Sequence, residues 1–210
     1  MRIRAWLFAA CALSFGLGTA HAQNYSTGAV DIYNTCNTGP DLPQTIPEAA
    51  NVRHWWDLAK FPQVSRWENS DVWNTDFTDG STGDLEPQGG SDVANIYFFT
   101  GHGTCQSTPQ ATDPDFLVTC SGGTLGSTNI GTKSRWGNAG GHSRFMLLDA
   151  SCPMDLVSLS NNWFPPFRGL HVATGHSGNR THDTLDSSSR GDQFAARTVG
   201  VTTTFLGIVI

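Results

Sequence analysis

Two short apolar runs, residues 93–100 and 145–148, each break off into small and polar residues, and that pattern restricts the fold more than any other in the chain. An uninterrupted apolar stretch that stops abruptly is how a parallel strand buried on both faces meets the loop at its carboxyl end. The first run leads into Gly101-His102-Gly103. The second leads into Asp149-Ala150-Ser151-Cys152-Pro153-Met154. A histidine and a cysteine are therefore expected on neighbouring strand ends of one sheet.

Residues 169–176, Gly-Leu-His-Val-Ala-Thr-Gly-His, read as a third buried strand. Pro153 suits the first turn of a helix after the second strand, with Cys152 as its N-cap. Strand, loop, helix, strand predicts an α/β fold: a mostly parallel sheet flanked by helices in a three-layer sandwich. Ligands of such sheets gather at the carboxyl ends of the strands, where His102, Cys152 and His176 would all lie.

The rest of the chain is less regular. Pro47 fits the first turn of a helix reaching about Lys60, whose Val52, Trp55, Trp56 and Ala59 share one side and are expected in the core. Short strands are expected over residues 30–33 and 116–119, and a last helix over residues 192–199. Residues 104–138 form a long excursion rich in Gly, Ser, Thr and Pro, as binding edges and surface insertions do. The final ten residues are apolar and β-branched, and the chain stops without a polar terminus, as a truncated product of a longer protein would.

Arg2 and Arg4, an apolar segment over residues 5–17 and the small-x-small Ala20-His21-Ala22 form a secretory signal, with cleavage expected before Gln23. Its apolar segment is short for a membrane span, and no other stretch approaches one, so no membrane association is expected once it is removed. Residues 23–210 are then one domain, secreted or periplasmic. Losing Arg2 and Arg4 moves the formal charge from −6 to −8, and no basic run remains to neutralise phosphates, which excludes a nucleic-acid partner.

Four cysteines survive cleavage: Cys36, Cys105, Cys120 and Cys152. An oxidising destination makes disulfides the default, and four cysteines allow three pairings. Cys105 and Cys120 bracket a single loop, so local closure favours that pair. Pairing Cys36 with Cys152 would consume the sulfur that any nucleophile needs.

A thiol attacks a carbonyl as its thiolate, and an imidazole or a helix N-terminus lowers its pKa. Cys152 with His102 as base, and the N–H groups of Gly103 and Cys152 at the oxyanion, would supply acyl transfer. Ser151 and Asp149 stand beside the cysteine on the substrate side. No metal or other cofactor is needed. The acidic residues Asp71, Asp76, Asp79 and Asp84 lack the alternating donors and closing Glu of a calcium loop. His171 and His176, at odd spacing on one strand, would not converge on zinc.

The segment Ile-Tyr-Phe-Phe-Thr-Gly-His-Gly at residues 96–103, followed by Leu-Leu-Asp-Ala-Ser-Cys at residues 147–152, resembles the caspase, legumain and gingipain superfamily of cysteine peptidases. Residues 67–77, the Ser-Cys-Pro-Met and the Phe-Arg-Gly-Leu-His at residues 167–171 resemble a group of exported bacterial caspase-like domains without an assigned activity. The similarity spans residues 67–196. It implies a caspase-like fold, with His102 as base, Cys152 as nucleophile and Gly103 at the oxyanion. The function it implies is a secreted cysteine endopeptidase acting on a peptide or protein, or else a catalytically inactive domain that keeps the fold for binding or structure. Amino-terminal sequencing of the exported protein is expected to begin at Gln23; a start at Met1 would remove the signal reading.

Overall fold

The computed structural model describes residues 23–36, 39–79, 89–103, 115–118, 124–126, 132–137, 141–154, 166–176, 187–199, 204–205 and 208–209. The leader, the helix expected after Pro153, the Cys105–Cys120 pair and Asp84 lie outside that set. Among the described residues no helix is long and apolar enough to cross a membrane.

The strands are β1 (Tyr25–Ala29), β2 (Gln63–Glu68), β3 (Ile96–Thr100), β4 (Asp115–Val118), β5 (Thr124–Gly126), β6 (Phe145–Asp149), β7 (Val172–Gly175), β8 (Thr204–Phe205) and β9 (Ile208–Val209). Five of them form one sheet in the order β2-β1-β3-β6-β7, with every neighbouring pair parallel. The hairpins β4-β5 and β8-β9 are separate antiparallel pairs. The molecule is thus an α/β protein on a parallel sheet, as the apolar runs predict, and β3 and β6 fill the two positions those runs imply.

β1 departs from expectation, lying just upstream of the strand placed at residues 30–33. Its Tyr-Ser-Thr-Gly-Ala sequence is not apolar, yet every residue is buried because β2 and β3 close on both sides. The buried Thr27 Oγ1 accepts a bond from Arg53 Nη1 at 3.3 Å. Gly28 is required there, since a Cβ would sit 2.7 Å from the Tyr97 hydroxyl that crosses it. β2 is an edge strand with no apolar run, so the sequence carries no strand signal for it.

One face of the sheet is covered by α1 (Thr45–Leu58) and α2 (Ser187–Thr198). Trp56 is fully buried between them and its indole N–H donates to Thr198 Oγ1 at 2.7 Å. Trp55 is only partly buried, donating to Asp192 Oδ1 at 2.5 Å. Below them Glu48, buried in the first turn of α1, accepts from Thr100 Oγ1 at 2.8 Å and from Gly191 N at 3.1 Å. One carboxylate thereby ties both helices to β3. The α2 helix starts five residues before the expected Asp192, at a serine run whose weak helix propensity reads as loop.

Among the described residues the other face is covered by turns rather than α-helix. Phe77, in a single 3₁₀ turn at Asn74–Phe77, stacks edge-on against Tyr97 at 5.7 Å and Phe99 at 5.5 Å. Trp136 is fully buried and donates to Ser91 Oγ at 2.9 Å. Asp92 organises this cover, its Oδ1 accepting from Gly137 N at 2.9 Å and Ser143 N at 2.7 Å. Helices, sheet and cover make three layers, with the core divided between the two interfaces.

Asp76 and Asp92 sit in this cover, and burial pushes each carboxyl up from 3.8 to about 6. A carboxyl whose folded pKa exceeds its unfolded value binds its proton more tightly when folded. Its stabilising contribution is complete below the unfolded value and is lost as pH rises through the folded one. The melting temperature is therefore expected to rise as pH falls from 7 to 5, and Asp76→Asn is expected to flatten that rise. An unchanged slope in calorimetry would show that Asp76 does not carry it.

Candidate functional site at the carboxyl edge

β3 and β6 pair in register through Thr100 and Asp149, and Gly101 N–H extends the ladder by donating to Asp149 O at 3.2 Å. Parallel neighbours end on one edge, so the glycine-flanked His102 and the loop carrying Cys152 leave the sheet side by side. A side chain at position 103 would overlap the Ser151 carbonyl. The two backbones touch there, which is what demands glycine at Gly103.

His102 is held from three directions by the chain after β1. Its backbone N–H donates to Tyr33 Oη at 2.7 Å, and its ring lies 4.4 Å from the Tyr33 ring. Burial drives the Tyr33 phenol up, so it stays protonated. The third hold is chemical: His102 Nε2 lies 2.8 Å from the Pro40 carbonyl. A carbonyl only accepts, so Nε2 carries the proton and Nδ1 is the basic nitrogen of the neutral ring. Gly39 leaves room for this ring, since a Cβ there would stand 3.3 Å from His102 Cδ2. Tyr33 and Pro40 carry no motif, and the sequence assigns their segment no chemistry.

Cys152 is 7 % exposed and occupies the left-handed region at φ 58°, a conformation that costs a non-glycine residue about 1 kcal/mol or more. Its sulfur is disulfide-bonded. The sequence reading needs that sulfur free, and here it is not: a bonded sulfur has no thiolate and attacks nothing. Cys152 therefore stands where the nucleophile was expected, in a form that cannot perform the chemistry.

Asp149 and His176 form a pair that the sequence does not announce. Leu148 pairs with Gly175 across β6 and β7, so the next residues on each strand, Asp149 and His176, come level at the edge. His176 Nε2 lies 2.8 Å from Asp149 Oδ1, with the Asp149 side chain 2 % and the His176 side chain 32 % exposed. Asp149 is thus a buried carboxylate turned to a histidine, away from the open substrate side where it was expected. Met154 N–H donates to the His176 carbonyl at 2.9 Å, which fastens the cysteine loop to β7.

His171 lies just before β7, exposed and edge-on to Phe145 at 6.1 Å. It is therefore at the opposite end of the strand from His176, and not inside the strand as its sequence implies. Among the described residues no group of three His, Cys, Asp or Glu side chains converges as a metal ion requires. A cavity of about 250 Å³, lined by Gln23, Phe61, Ile96, Phe145 and Thr198, opens at the amino edge of the sheet, remote from this rim.

A family model described as a domain of unknown function (DUF6345) matches residues 30–205. No curated protein and no solved structure matches the chain. The matched span contains every residue of the rim described above. Replacing Gly103 with alanine is expected to force the two strand tips apart and lower unfolding stability by about 1–3 kcal/mol in urea titration. Wild-type stability in that variant would mean the tips are not in contact.

Proposed function

This chain belongs to the DUF6345 family, and from that premise we propose that it is an exported caspase-like domain whose carboxyl rim carries a redox-conditional cysteine endopeptidase. With Cys152 in its disulfide the domain cleaves no peptide. With the thiol free it cleaves a peptide or protein substrate. The observation that carries this reading is the Nε2–H of His102 fixed on the Pro40 carbonyl at 2.8 Å, at a strand tip adjoining the cysteine loop. That bond fixes the ring and the tautomer in which Nδ1 carries the lone pair, as a general base requires.

In this mechanism His102 Nδ1 takes the proton of the Cys152 thiol as the sulfur attacks the peptide carbonyl carbon. Gly103 N–H stabilises the resulting oxyanion. The imidazolium then protonates the leaving amine, the C–N bond breaks, and water hydrolyses the thioester by the reverse sequence of proton transfers. No cofactor enters any of these steps.

A second reading is favoured by the buried, bonded state of Cys152: an exported protein uses disulfides chiefly for structure, and the domain would then be an inactive binding or structural module. Iodoacetamide at mildly acidic pH, after reduction with a dithiol and with the label located by mass spectrometry, separates the two. The peptidase reading expects Cys152 to react about tenfold faster than an ordinary thiol, with the excess lost in His102→Ala. It also expects cleavage of a peptide library only after reduction. Ordinary reactivity and no cleavage in the reduced protein would leave the inactive module.

A further inference from the structure

Asp149 and His176 have no part in that mechanism, and their chemistry differs from that of His102. His102 is oriented by a neutral carbonyl, whereas His176 is oriented by a carboxylate that is 2 % exposed. A buried carboxylate accepting from an imidazole N–H fixes the tautomer, holds the ring in one orientation and stabilises the positive charge that forms when the other nitrogen takes a proton. The bond to Asp149 uses Nε2, so Nδ1 of the neutral ring carries the lone pair, and it makes no hydrogen bond among the described residues. The ring itself is about one-third exposed at the strand end where parallel sheets bind ligands.

We propose that His176, positioned by Asp149, is a second proton-transfer residue of the rim, able to activate water against an acyl carbon without the Cys152 sulfur. In that step Nδ1 takes a proton from water as the water oxygen bonds to the acyl carbon. The carbonyl electron pair moves to oxygen and returns as the bond to the leaving alkoxide breaks. The imidazolium then gives its proton to that alkoxide, so ester and water become acid and alcohol. No oxidant or reductant enters, and the disulfide stays closed.

The pair does not depend on the peptidase reading, and the experiment keeps the two apart by using the disulfide-bonded protein. Hydrolysis of p-nitrophenyl acetate is measured for the wild type, His176→Ala, Asp149→Asn and, as a control away from the rim, His54→Gln. The wild type is expected to exceed an equal concentration of free imidazole by about a hundredfold. His176→Ala is expected to fall to the free-imidazole level and to recover with added imidazole, Asp149→Asn to be several-fold slower, and His54→Gln to match the wild type. Rescue by imidazole is what a structural histidine would not show. A wild-type rate no better than free imidazole, a rate retained in His176→Ala, or a loss that imidazole does not restore in a folded variant would each overturn the proposal. A positive result alongside an unreactive reduced Cys152 would keep this inference while removing the thiol mechanism.

Discussion

Parallelism is the constraint from which the rest follows. When β3, β6 and β7 run the same way, the residues that end them must emerge on one edge, however far apart they lie along the chain. Backbone hydrogen bonds through Thr100 and Asp149, and through Leu148 and Gly175, then determine which end groups are neighbours. The side chains at the rim do not assemble by attracting one another. They are delivered there by a ladder whose energy comes from buried apolar strands.

That division of labour explains the polar groups beneath the rim. Glu48, Thr100 and Asp149 are all essentially excluded from water, and a charge so placed is costly unless it is bonded. Glu48 meets the demand by holding Thr100 and the backbone of α2, and Asp149 by holding His176. The same groups that avoid an unpaired burial penalty therefore lock the helices and the β7 end onto the sheet. On the far face Asp92 does the equivalent for loops, accepting backbone N–H groups where no secondary structure would satisfy them.

How much of this was legible depended on which physical signal each element carries. β3 and β6 announce themselves because both of their faces are buried, which writes a solid apolar run. β1 is as buried as either but is written in small polar residues, because Arg53 satisfies Thr27 and Tyr97 occupies the space above Gly28, and neither fact exists locally in sequence. The histidine and cysteine tips were readable from strand order. The orientation of His102 was not, since it comes from a backbone carbonyl and a tyrosine more than sixty residues upstream. The state of Cys152 was open in principle, because cysteine pairing is a matter of folded distance, and the bonded sulfur changes what the rim can do.

The location of β1 has a geometric outcome for anything joined to the front of the chain. Asn24 is latched to Asn95 by reciprocal amide bonds of 3.3 and 2.7 Å at the amino ends of β1 and β3. Gln23 consequently lies at the side of the sheet facing away from His102, roughly 15 Å off at the usual rise per strand residue. A tether or fusion at Gln23 would hold the molecule by the edge opposite the one that carries His102.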